Sequence, residues 1–147
     1  MIAAILLAFV ITTPTAPSRI GFTGDVRSML SDVNAERRSS GAPTLALDGR
    51  LSALATERAQ DMVEGGYFSH IAPDGHSPWD DMRTDGCAFR YAAENIAMAP
   101  DVRDASVALW ESPEHRENTL GTNYRKIGIG VAVKSDGTKI FVEDFTD

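Results

Sequence analysis

The sequence predicts an α+β domain with helices packed against a sheet. Three observations carry this reading. Amphipathic helical stretches fill the first two thirds of the chain, strict two-residue alternation around a turn closes it, and no strand–helix–strand alternation or internal repeat interrupts the order. With 147 residues, 43% hydrophobic and 24% charged, the chain is expected to form one domain over 19–147. A chain of this size buries roughly two thirds of its unfolded surface, so it needs no disulfide or metal staple.

The first helix begins near Asp25, carries Val26, Met29, Leu30 and Val33 at i, i+3, i+4 and i+7, and stops at Ser39-Ser40-Gly41 before Pro43. The second opens on Asp48 as N-cap, lines Leu51, Leu54, Ala55, Arg58, Ala59 and Met62 along one face, and ends at Gly65-Gly66. A Pro73-Asp74-Gly75 turn and a short helix around Pro78 to Arg83 follow. A third main helix is predicted over Asp101 to Trp110, carrying Val107, Leu109 and a core Trp110 and ending near Ser112-Pro113, since proline disfavours helix in the residue before it. The period then changes. Ile127, Ile129, Val131 and Val133 alternate with Gly128, Gly130 and Ala132, giving one bulky and one nearly bare face suited to close packing. Ser135-Asp136-Gly137 is a hairpin turn, and Thr138 to Phe145 returns as the partner strand.

Charge narrows the partners. Fourteen Lys and Arg against 21 Asp and Glu leave a net charge of −7, which opposes nucleic-acid or anionic-lipid binding. Ile2 to Ile11 is an uncharged apolar run ahead of a Thr/Pro-rich break, so residues 1–18 read as a signal peptide. Ten apolar residues fall short of the ~20 that span a bilayer. The expected product is exported to the extracellular space or cell envelope, has no membrane span, and is a monomer. Cys87 stands alone, which excludes an internal disulfide, and reads as a small, buried apolar side chain.

There is no HExxH, CxxC, EF-hand, G-x-S-x-G, P-loop or GxGxxG pattern. Taken from the residues alone, His70, His76 and His115 are structural side chains or ligands, and the site stays open. Five stretches in order give more: Asn34-Ala35-Glu36-Arg37; Gly66-Tyr67-Phe68-Ser69-His70 with Pro73-Asp74-Gly75; Ala93-Glu94-Asn95-Ile96-Ala97; Trp110 through Asn118 with Ser112-Pro113-Glu114-His115-Arg116; and Tyr124 through Val131. Together they resemble the bacterial branch of the CAP superfamily, the SCP-like extracellular domain of cysteine-rich secretory proteins, antigen 5 and pathogenesis-related proteins. The resemblance runs from about Val26 to Phe145.

That resemblance implies a three-layer α-β-α sandwich with a small antiparallel sheet, an extracellular location, and a cleft where His70 and His115 hold a divalent cation, often Zn²⁺, beside the acidic Glu94. Two imidazoles leave coordination positions open, and a neighbouring carboxylate can fix a ring tautomer. Eukaryotic relatives carry a second cleft glutamate three residues after the helix tryptophan. Here that position is Pro113, and Glu111 and Glu114 read as solvated charges. His76 reads as a surface residue, Asn95 as a tie to loop backbone, and Arg116 and Asn118 as bridges in the turn after the third helix. The functional expectation is a non-enzymatic binding module for a lipid, cell-wall fragment or protein. The alternative is a metal-assisted or His/Glu-based hydrolase using Glu94 and His115 on peptide or wall polymer.

Overall fold

Helix α1 (Arg19–Ser39) buries Met29 and Val33 and half-buries Val26 and Leu30, as its spacing predicts. Gly41, at φ 72°, then turns the chain away. The computed structural model describes residues 19–147, so the expected leader at 1–18 lies outside the described residues. Strand β1 (Ala46–Leu47) is only two residues long. Helix α2 (Gly49–Gly65) follows, capped by Asp48, whose Oδ1 accepts from the backbone N–H groups of Arg50 at 2.9 Å and Leu51 at 3.0 Å. It ends on a left-handed Gly66. The short helix α3 (Pro78–Thr84) starts with a reciprocal Ser77–Asp80 capping box.

Strands β2 (Ala92–Ala99), β3 (Lys126–Val133) and β4 (Lys139–Thr146) complete a sheet in the order β1-β3-β4-β2. The β3–β4 hairpin and the β2–β4 pairing are antiparallel, and β1 adds a two-residue parallel pairing to β3. Two helices separate β2 from β3: α4 (Val102–Glu111) and α5 (Pro113–Leu120). The expected α+β sandwich is the observed architecture. Helices α1, α4 and α5 cover the sheet face that carries Ile127, Ile129, Val131, Phe141 and Phe145, and α2 covers the face of Ile96, Ala132, Ile140 and Val142.

The bare face of β3 does what its sequence suggests. A Cβ placed on Gly128 or Gly130 would lie under 3.0 Å from the backbone of Leu51 or Ala55, so α2 rests directly on strand backbone. Ser52 Oγ also accepts the Ile129 N–H at 3.2 Å, satisfying a donor that a longer β1 would have taken.

The structure differs from the sequence reading in four places. Residues 92–99 form a full strand, because β2 is buried on both faces and shows no polar–apolar alternation. Asn95 therefore sits in the sheet, and the backbone its amide ties is that of helix α5, at the His115 carbonyl. Pro113 ends α4 as expected but also starts α5, where a residue without an N–H suits the first turn; the stretch read as a turn is a helix. Finally, Val107 is 48% exposed and Trp110 only partly covered, so α4 presents these two side chains to a groove rather than to the core. Cys87 is half-buried rather than buried, and burial still raises its thiol pKa.

Candidate functional site

The left-handed Gly66 that stops α2 sends residues 67–70 back over the helix. Tyr67 is anchored there by a hydrogen bond from its hydroxyl to Asp61, and His70 is placed at the edge of β2. Glu94, on the β2 face toward α2, has a side chain only 1% exposed. Both of its oxygens are engaged: Oε1 lies 2.7 Å from His70 Nδ1, and Oε2 accepts from Arg58 Nε at 2.5 Å. Arg58 Nη2 also donates to the His70 carbonyl, while Nη1 lies 3.6 Å from Asp81. The guanidinium thus compensates a buried carboxylate and clamps the loop that carries His70. The His70 tautomer that donates Nδ1–H to Glu94 carries its lone pair on Nε2, and the ring is half exposed.

His115 comes from α5, on the other helical layer. Arg37 fixes that helix by donating through Nη1 to the carbonyls of Thr119 at 2.6 Å and Gly121 at 3.0 Å, a cation at a helix C-terminus, and through Nε to Pro43 O at 2.6 Å. Asn95 fixes it from the sheet, its Nδ2 donating to the His115 carbonyl at 3.1 Å and to Glu143 Oε2 at 3.0 Å, while its Oδ1 accepts from Asn118 at 2.9 Å. Burial lowers the His115 pKa, and the nearby His70 lowers it further, so His115 stays neutral to more acidic pH than a free imidazole. His70 thus contacts Glu94 directly, and His115 lies near enough to His70 to feel its charge; Phe68 and Ile71, on either side of His70 in the chain, are exposed. Glu111, Glu114 and His76 are exposed, as expected of solvated groups. Among the described residues, no three His, Cys, Asp or Glu side chains are arranged to hold a metal ion.

Sequence reasoning missed three partners. Arg58 was legible only as one position on the inner face of α2, yet it is buried and holds the cleft together. Glu143 and Asp144 lie in the centre of β4, one on each face of the sheet. The available signal was two adjacent acids inside an otherwise apolar strand, Ile140 to Phe145. Burial raises Asp144 well above the usual carboxyl range, with Glu94 adding to it, and its Oδ1 has no partner. Burial pushes Glu143 up to about 7, against the Asn95 hydrogen bond.

This has a measurable consequence. A carboxyl whose folded pKa lies above its unfolded value, near 4.3, stabilises the fold below that value, and the contribution is lost as pH climbs through the folded pKa. Stability is therefore expected to fall between about pH 4.3 and about 7. Glu143→Gln, which can still accept from Asn95, should remove much of this slope and gain about 2 kcal/mol at pH 8. Urea midpoints of both proteins at pH 5 and 8 measure it; equal slopes would mean that Glu143 is ionised throughout.

Residues 30–145 match the cysteine-rich secretory protein family, CAP. The protein YkwD of Bacillus subtilis strain 168 is 36% identical over 120 residues, which span 81% of this chain and 46% of YkwD. The crystal structure of an extracellular SCP-domain protein from Bacillus anthracis superposes with a TM-score of 0.81 at 26% identity, over 92% of this chain and 45% of that one. An outer surface protein of Borrelia burgdorferi shares the fold, with a TM-score of 0.79 at 24% identity over 84% and 92% of the two chains. The chain spans less than half the length of YkwD and of the anthracis protein. Among the described residues, no helix is long and apolar enough to cross a membrane.

Proposed function

The chain belongs to the cysteine-rich secretory protein (CAP) family, and from that premise we propose that it is an exported, non-enzymatic binding module whose cleft takes a divalent cation between His70 and His115. The observation that carries this reading is the 2.7 Å contact of His70 Nδ1 with the buried Glu94, which turns Nε2 outward as the free donor. The depressed pKa of His115 keeps its imidazole neutral to more acidic pH, available as a second ligand. Two protein ligands leave positions for water and for an oxygen of a lipid, wall fragment or protein, and a bound Zn²⁺ would supply Lewis-acid attraction for that oxygen. Export fits the extracellular and outer-surface character of its structural relatives.

Titration calorimetry of the metal-stripped chain with Zn²⁺, beside His70→Ala/His115→Ala, tests the reading. Saturable 1:1 binding in about the micromolar range, lost in the double variant, is the expected result. Affinity should also weaken as pH drops below about 6.5, the usual imidazole value, because protons compete for imidazole lone pairs and burial holds the His115 pKa below that value. Equal heats for both proteins, or affinity flat from pH 8 to pH 5, would overturn it. The hydrolase reading is less well supported, because both oxygens of Glu94 are already committed to Arg58 and His70, which leaves His115 as the free base.

A further inference from the structure

Strand β2 has one partner, β4, so its other side is a sheet edge. The phase of the pairing shows which groups lie along that edge. The Lys134 N–H donates to Thr138 O at 2.8 Å and the Asp48 N–H to Ile127 O at 2.9 Å, so even-numbered residues of β3 bond β4 and odd-numbered ones face β1. Carried through the β2–β4 register, Ala93, Asn95 and Ala97 bond β4, and Glu94, Ile96 and Met98 turn their N–H and C=O groups outward. Among the described residues, no turn, loop or cap backbone pairs with these outward groups. Arg58, buried beside Glu94, is committed to the Glu94 carboxylate and to the carbonyls of Ser69 and His70.

This edge is both unguarded and recessed. Sheet edges are ordinarily blunted by proline, lysine or a bulge. Ala92–Ala99 contains neither residue, pairs with β4 without a bulge, and has as its one charge Glu94, already bound to Arg58 and His70. The recess follows from what lies on the two faces: Glu94 holds the His70 loop on one, and Asn95 holds α5 on the other through the His115 carbonyl. Residues Glu94, Asn95, Ile96 and Ala97 are accordingly buried, although β2 has a free edge. Buried backbone groups without partners are costly, and a row of alternating donors and acceptors is matched by the backbone of another extended chain. A lipid tail offers neither donor nor acceptor. A second copy carries the same two walls around its own β2, so the two edges cannot meet, whereas a single extended peptide can enter. Exposed Phe68 and Ile71 beside His70, and Met98 at the far end, offer apolar contacts for its alternate side chains.

We propose that the β2 edge from Glu94 to Met98 binds an extended polypeptide segment of a partner protein as an added strand. The proposal rests on the reading of the His70–His115 region as a binding site and names its partner class, but it does not need the cation. The probe is a fluorescein-labelled peptide of alternating Thr and Val, followed by fluorescence anisotropy in EDTA. Saturable binding with a Kd of about 10–100 μM is expected. N-methylation of one alternate set of peptide amides should abolish binding, because those amides meet β2, while methylation of the other set should leave it within about twofold. Met98→Pro removes an N–H that β4 does not use, at a half-exposed edge position where proline is tolerated, and should weaken binding at least about tenfold with the urea midpoint retained. Met98→Leu should bind like the parent. Equal effects of the two methylation patterns on the parent protein would overturn the proposal, whatever the fate of the proline variant, as would undiminished binding by folded Met98→Pro. A dimer seen by sedimentation and lost in Met98→Pro would give the edge to a second copy and overturn it as well. Zn²⁺ binding without peptide binding would sink this inference alone, and peptide binding without Zn²⁺ binding would sink the cation reading alone.

Discussion

Gly130→Val is expected to cost about 3 kcal/mol or more, the upper end of what overpacking does. Most overpacked cores relax by moving side chains, but here the obstructing atoms are the carbonyl carbon and oxygen of Ala55 and the amide nitrogen of Thr56. Helix backbone cannot rotate out of the way. To admit the isopropyl group, α2 would have to lift off β3, unseating Ala55, Ala59 and Met62 from Ile96, Ala132, Ile140 and Val142. Since natural domains hold only about 5–15 kcal/mol in reserve, the variant should show a large loss of urea midpoint. Gly49→Ala is the control: the added methyl meets nothing within 4 Å at a position with no positive φ, so it should be neutral or slightly stabilising. A Gly130→Val midpoint matching the parent would mean that the helix and strand are not in backbone contact.

Arg58→Met is expected to cost about 3–5 kcal/mol, because it strands a carboxylate in the interior. Glu94 has 1% of its side chain exposed and would keep only the His70 ring as partner. Asp144, directly opposite Glu94 in the β2–β4 register, would lose the same nearby guanidinium. The loop would also lose the bond that holds the His70 carbonyl, so Zn²⁺ affinity should fall with stability. A double-mutant cycle with Glu94→Gln separates the causes. Once the stranded charge is removed, the double variant should be more stable than the sum of the singles by about 2 kcal/mol. Additivity within about 0.5 kcal/mol would show that packing of the arginine stem, rather than charge, sets the cost.

The elements legible in the sequence are those whose local chemistry agrees with their tertiary role. Asp48 and Gly66 bracket α2 because each closes a helix end by itself, and the β3–β4 hairpin declares itself by alternation around Asp136-Gly137. His70, Glu94 and His115 stood out through the order of short motifs, and the His70–Glu94 contact has a local cause in the Gly66 reversal. What stayed hidden depends on partners far along the chain. Strand β2 reads as a helix-tolerant run of alanines until β4 covers its edge, and α5 follows a proline that marks both an end and a beginning. Arg58 was legible only as one charged position on the inner face of α2, and nothing near it in sequence announces Glu94, 36 residues away.

The glycine pair of β3 also decides which hairpin can form. A strand that slips by one residue against its partner exchanges its two faces. In β3 the exchange would turn Ile127, Ile129 and Val131 toward α2, where the helix leaves no room for even a methyl group at 128 or 130. It would also leave glycines facing the layer that Phe141 and Phe145 share with α1 and α4. The misregistered hairpin is therefore barred on one side by collision and penalised on the other by a void. The same two residues that let α2 approach act as a key that admits the helix only when β3 and β4 are correctly aligned.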